Sequence, residues 1–101
     1  MTEDDVFFET KKRLAENGDS EAQVFLGNLC KKNNKLEEAA SWLKKAAIQE
    51  NPKAQYAIGE MYEAGEGVPE NYSTAIDWYK KAARNGSTLA QEKLRKYHET
   101  W

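Results

Sequence analysis

Apolar side chains recur along this chain at helical spacing. Ala22, Phe25, Leu26, Leu29 and Cys30 fall at i, i+3, i+4, i+7 and i+8, and Ala54, Ala57, Ile58, Met61 and Tyr62 repeat the pattern. Each set forms one stripe on a helix of about 3.6 residues per turn. A second kind of stripe runs through Leu36, Ala39, Ala40, Leu43, Ala46 and Ala47, and again through Tyr72, Ala75, Ile76, Tyr79, Ala82 and Ala83. Start signals agree with the stripes. Ser20 with Gln23 and Thr88 with Gln91 have capping-box spacing, Asn34 with Glu37 resembles it, and Asn51 precedes a proline suited to a first helical position. Gly18 and Gly86 follow helix ends, where a left-handed backbone is wanted. Six helices are predicted, over about residues 3–16, 20–32, 35–49, 52–64, 71–85 and 88–99.

The stripes are copies of one another. AQVFLGNLC (22–30) recurs as AQYAIGEMY (54–62), offset by 32 residues, and SWLKKAA (41–47) recurs as DWYKKAA (77–83), offset by 36. The second unit therefore carries a four-residue insertion between its two helices. Weaker copies flank the pair. AQEKLRKYH (90–98) keeps Ala90 and Leu94 but puts Arg95 where the full copies have Gly27 and Gly59. A long charged side chain there needs water, so Arg95 reads as the end of a stack. At the other end, RLAENGDSEAQ (13–23) matches KAARNGSTLAQ (81–91), making residues 4–16 the second helix of a unit whose first helix is absent. Phe7 stands where the full copies have Ala39 and Ala75, and Thr10 where they have Trp42 and Trp78; the bulk of Phe7 is expected to fill space a preceding helix would occupy.

Composition narrows the class of protein. With 101 residues there is room for one domain, and 40% hydrophobic content is enough for a core. Fifteen basic against 17 acidic side chains leave a net charge of -2, so nothing favours nucleic acid or an anionic membrane surface. The acidic start, Met1-Thr2-Glu3-Asp4-Asp5, is unlike a secretory leader, and no apolar run approaches the roughly 20 residues that span a bilayer, which makes the cytosol the expected compartment. The triplets at Asn71 and Asn85 that match a glycosylation acceptor read as chance there. One cysteine excludes an internal disulfide, and one cysteine with one histidine cannot supply the four ligands of a structural zinc site.

The segment from Ala54 to Gly86 closely resembles a Sel1-like repeat: Ala54, Ile58-Gly59, Tyr62, Gly65-Glu66-Gly67-Val68, Ala75, Trp78-Tyr79, Lys81-Ala82-Ala83 and Gly86 meet that family's pattern at nearly every position. The first unit departs from it, with Cys30 for the tyrosine, Lys31-Lys32-Asn33-Asn34 for the Gly-x-Gly-Val turn and Glu50 for the closing glycine. Its shorter turn is more similar to a tetratricopeptide repeat. The resemblance implies an all-α fold, a short α-solenoid of stacked helix-turn-helix hairpins. The expected division is a half-repeat helix in 1–18, a repeat of tetratricopeptide length in 19–50, a Sel1-like repeat in 51–86 and a capping helix in 87–101. Small residues at Ala22, Gly27, Ala39 and Ala46, and at Ala54, Gly59, Ala75 and Ala82, are expected to let paired helices approach, while Leu26, Trp42 and Ile58 fill the grooves; Trp78 is the structural repeat of Trp42 in the second unit. Gly65 and Gly67 are expected in a turn.

Catalytic constellations are thin. Cys30 lies on an apolar stripe and reads as a small buried hydrophobe, and His98 near the C-terminus as a solvated side chain. Gly65-Glu66-Gly67 lacks the strand and Gly-Lys-Ser of a phosphate loop. No catalytic, cofactor or metal residue is assigned. Lys45 and Lys81 stand where the family pattern itself has lysine and are expected to lay their stems over the hairpin.

Recognition of another protein is the remaining task. In such stacks the first helices line a concave face, so positions off the stripe are partner candidates: Glu21, Val24, Asn28 and Lys31; Lys53, Tyr56, Glu60 and Glu63; Glu92, Lys96 and Glu99. Val24 and Tyr56 are equivalent, and either form an apolar anchor pair on a charged groove or pack between helices. A carboxylate-gripping set for a C-terminal peptide is not matched, because Val24 and Glu60 stand where basic or amide residues are wanted. The expectation is a non-enzymatic adaptor or scaffold; the alternative is a dedicated inhibitor of immunity type, whose acidic groups would suit a basic enzyme target. Self-association through the terminal helices is a further expectation.

Overall fold

The stripes fold into six α-helices: α1 (Glu3–Glu16), α2 (Ser20–Lys32), α3 (Leu36–Ile48), α4 (Pro52–Ala64), α5 (Tyr72–Arg84) and α6 (Thr88–Lys96). The computed structural model describes residues 2–101, and no strand occurs among them. Each helix packs on its neighbours in sequence, so the chain is an α-solenoid about 50 Å long and 18 Å thick. No helix among the described residues is long and apolar enough to cross a membrane.

Three of the predicted start signals fall one residue off. The α2 cap is Asp19, whose side chain accepts from the Ala22 N–H, and the α6 cap is Ser87, which accepts from Ala90. At α3 the cap position is Lys35, with no side-chain hydrogen bond. Asn51 caps α4 as expected, accepting from Lys53 and Ala54, and Pro52 opens the helix. Gln23 and Gln91, expected to complete capping boxes, have another task, which Gln55 shares. Gln23, Gln55 and Gln91 each donate from Nε2 to a carbonyl eight residues back, at Ala15, Ala47 and Ala83. Each such bond stitches the end of one hairpin to the start of the next. Gln49 donates to Gln23 Oε1 and Asn85 to Gln55 Oε1, both at 2.9 Å, so the buried amides are satisfied on both sides.

The core lies at the junctions. Val24, Leu43 and Ala46 of the α2–α3 hairpin close on Ala54, Ile58 and Met61 of α4. Tyr79 and Ala82 close on Ala90 and Leu94 of α6, and Ala15 meets Ala22 and Leu26. Neither hairpin hides its stripe by itself, and fully burying a side chain such as Ile58 contributes roughly 2 kcal/mol only once the neighbour is in place. Trp42 and Trp78 each reach back to the preceding junction. The Lys45 and Lys81 ammonium groups stand 4.7 Å above those indole rings, which refines the expected draping of their stems into a cation–π contact.

Glycine is required at two kinds of place. A Cβ at Gly27 would lie 2.6 Å from Leu43 Cγ, and one at Gly59 2.7 Å from the Tyr79 ring, so each glycine seats a side chain of its own hairpin. Gly67 is different. Its φ of 74° is left-handed, and a Cβ there would sit 2.2 Å from the Leu36 carbonyl oxygen. The inserted turn of the second hairpin is thereby pressed onto the start of α3, with Val68 packed against the first core.

Candidate partner-binding cleft

Helices α2, α4 and α6 lie side by side, as contacts between them show. Asn51 donates to Ser20 Oγ and to Glu21 Oε1, Lys53 pairs with Glu21 at 3.6 Å, and the Lys93 ammonium stands 5.8 Å from the Tyr56 ring centroid. Their N-termini sit above one another because each preceding turn ends in a left-handed residue: Gly18, Glu50 and Gly86. Glu50 adopts φ 67° without glycine's freedom, and its carboxylate accepts from Gln55 and Asn85, which hold it below its ordinary pKa.

The two junctions on this face differ in what closes them. Between α2 and α4 the gap is closed by the amide of Asn51. Its equivalent 36 residues on, Ser87, is too short to bridge, and a cleft of about 350 Å³ opens between α4 and α6. Pro52, Lys53 and Tyr56 form one wall; Gly86, Ser87, Thr88 and Leu89 form the other. Tyr56 is half-buried, tilted against Tyr79, and its hydroxyl is raised in pKa chiefly by burial and then by Glu60. Leu89 is 59% exposed. The cleft is apolar between Tyr56 and Leu89 and carries Lys53 at its rim, a shape that admits an apolar side chain of a partner with an acidic neighbour.

The predicted contact residues separate into three groups. Lys53 and Tyr56 line the cleft; Glu60, near the Tyr56 hydroxyl, and Asn28, Lys31, Glu21, Glu92 and Lys96 are elsewhere on the exposed or half-exposed surface of their helices. Val24 is only 8% exposed and belongs to the first core, so of the two readings left open it takes the one that packs between helices, and of the pair Tyr56 alone lines the cleft. Glu63 is committed inward. It accepts from the Tyr79 hydroxyl at 2.6 Å and from the Tyr97 hydroxyl, and pairs with Lys93 at 3.6 Å. Burial opposes its charge, yet these three donors hold its carboxyl below the usual value, while the same bond pushes Tyr97 up to about 12. Glu99 pairs with Lys80. Leu89 and Pro52 were not among the expected contacts; the available signal was Leu89 itself, an apolar side chain off the stripe in the first turn of α6.

Cys30 is half-buried rather than buried, 3.7 Å from Glu38 Oε2, and desolvation together with that carboxylate raises its thiol pKa, opposite to what a nucleophile needs. His98 is exposed in a left-handed turn after α6. Phe7 is 53% exposed and meets Phe25 edge to face at 5.5 Å, so it leans on the following helix instead of filling the space before it.

Comparison with known proteins places these features in a family. The Sel1 repeat pattern matches residues 20–51 and 52–87. The chain is 39% identical over 88 residues to DAP3-binding cell death enhancer 1 of Rattus norvegicus, covering 83% of this chain and 17% of that protein. It is 45% identical over 58 residues to the chitin synthase regulator SKT5 of Saccharomyces cerevisiae, covering 57% of this chain and 8% of that one. Among solved structures it is similar to a Sel1 repeat protein of Oxalobacter formigenes, with TM-score 0.82, 33% identity and coverage of 85% and 68% of the two chains. It is also similar to cysteine-rich protein B of Helicobacter pylori, with TM-score 0.86, 25% identity and coverage of 92% and 73%.

Proposed function

Since the chain belongs to the Sel1 repeat family, whose helical repeats are generally protein-interaction modules, we propose that it is a non-enzymatic adaptor whose partner protein docks on the exposed surface of α2, α4 and α6. The single observation that carries this reading is the α4–α6 cleft, where Tyr56 is left half-exposed and Leu89 exposed at a junction whose counterpart is closed by Asn51. An aromatic wall and an exposed aliphatic side chain flanked by a lysine are what an anchor residue of a partner needs. The curated relatives are far longer than this chain, which spans 17% of the rat protein, and their names describe a DAP3-binding protein and a regulator of chitin synthase. By analogy the partner is a protein and the task regulatory. One unpaired thiol suits a reducing compartment such as the cytosol.

The test is affinity capture with the whole chain, followed by mass spectrometry and by titration of the protein retained. Leu89→Ser removes an exposed side chain and is expected to weaken binding roughly tenfold with unchanged melting, and Tyr56→Ala at least as much. A partner held equally by both variants would place the interface elsewhere.

A further inference from the structure

Helix α1 carries an apolar face that the repeat geometry covers everywhere else. Positions Phe7 and Leu14 are equivalent to Ala39 and Ala46 in α3 and to Ala75 and Ala82 in α5, all of which are fully buried under the first helix of their own hairpin. Among the described residues α1 has no such helix. Phe7 is left 53% exposed, Leu14 40% and Val6 51%. Thr10 lies at the centre of this face, between Val6 and Leu14, and its hydroxyl already donates to the Val6 carbonyl at 2.8 Å. It is therefore small and internally satisfied, and can be covered by another helix without stranding a polar group.

We propose that this face pairs with α1 of a second copy of the chain, antiparallel, across a two-fold axis at Thr10. Charge selects both the occupant and the direction. The outer face of α1 begins at Glu3 within an acidic first turn, Glu3-Asp4-Asp5, and runs past Glu9 and Thr10 to Arg13 and Glu16; with Lys11 and Lys12 the second half of the helix is net basic, and the first half is net acidic. An antiparallel copy sets the acidic end of each helix against the basic end of the other and lays Val6 and Phe7 on Leu14. A parallel copy would set acid on acid and base on base. Head-to-tail stacking of α1 on the α6 end is opposed at the other terminus, where Arg95 stands at the position that is Gly27 and Gly59 in the hairpins, with the Trp101 ring 5.4 Å from its guanidinium carbon. Among the described residues, the closed two-fold pair is thus the arrangement that the uncovered face of α1 and Arg95 of α6 leave open. A helix of 14 residues is about 21 Å long and offers less than a standard interface, so the dissociation constant is expected in the range of tens of micromolar.

Sedimentation of the whole chain from about 1 μM to about 1 mM tests whether the pair forms, a range that brackets that constant. A monomer–dimer equilibrium is expected, weakened at least about tenfold by Leu14→Glu. Direction is read by cross-linking in a Cys30→Ser background with a bis-maleimide of about 8 Å reach, close to the usual interhelical distance. Thr10→Cys is expected to cross-link efficiently. Glu3→Cys is not, because the antiparallel pair separates the two Glu3 positions by about 21 Å along the axis. The proposal is overturned by a chain that stays monomeric throughout, by a dimer indifferent to Leu14→Glu, or by Glu3→Cys cross-linking as well as Thr10→Cys. The cross-linking pair keeps Leu14 intact, so it reports on the interface even where Leu14→Glu frays α1.

Discussion

The α2–α3 and α4–α5 hairpins reach the same helix pairing with different side chains. In the first, Gly27 seats Leu43, the inter-helix turn is short, and the closing left-handed residue is Glu50. In the second, Gly59 seats Tyr79, whose hydroxyl is tied to Glu63; the turn is four residues longer and braced on α3 through Gly67, and the closing residue is Gly86. The comparison teaches that the invariant part of the unit is a small residue opposite a large one, and that the inserted turn acts between hairpins instead of within its own. The second hairpin holds both of its neighbours: α3 through the Gly67 turn, and α6 through Glu63 with Tyr97 and Lys93.

The largest expected effect breaks the pairing itself. Gly59→Leu should cost about 3 kcal/mol or more and lower the melting temperature by about 15 °C, because Tyr79, tethered to Glu63, cannot rotate aside. Gly27→Leu, opposite an untethered Leu43, should cost measurably less; equal losses in thermal melts would show that the tether is irrelevant. Next comes the stitch between hairpins. Gln55 donates to Ala47 and Glu50 and accepts from Asn85, whereas Gln91 donates only to Ala83. Gln55→Ala is expected to cost roughly 2–3 kcal/mol and Gln91→Ala about 1 kcal/mol, read from urea midpoints.

Gly67→Ala should cost roughly 1–2 kcal/mol and act at a distance, speeding amide exchange in the first turn of α3 more than in α5. Faster exchange confined to residues 65–71 would mean that the turn braces nothing. The smallest effect separates the hairpins by pH. Glu63 has its carboxyl lowered from an ordinary value of 4.5, so its contribution is complete above that value and is lost as pH falls through the lower native one. Tyr97 has its hydroxyl raised from 10 to about 12, so that contribution is complete below 10 and is lost as pH rises toward 12. Glu63→Gln should remove part of the melting-temperature loss between about pH 5 and pH 3. A full acid slope in that variant would assign the effect to other carboxylates.

Much of this molecule was legible in its one-dimensional pattern. The helices follow from stripes repeated at 32- and 36-residue offsets. Local periodicity carries that information because helices and hairpins are built from neighbours in the chain. The partner surface was legible only in part. Val24 and Tyr56 are indistinguishable as off-stripe apolar positions, and their environments separate only when Asn51 closes one junction and Ser87 leaves the next one open. Glu63 looks like any surface carboxylate until α5 and α6 bring two hydroxyls and an ammonium to it.

The amino-acid order by itself determined which residues are helical, which face of each helix is apolar and where the repeat begins to fail, because those properties depend on spacings of three and four residues. Tertiary structure alone decided that Gln23, Gln55 and Gln91 stitch hairpins, that Gly67 presses on Leu36, and that the cleft lies between α4 and α6. Those facts depend on distances between groups that the chain separates by many residues, and only the packed stack sets such distances.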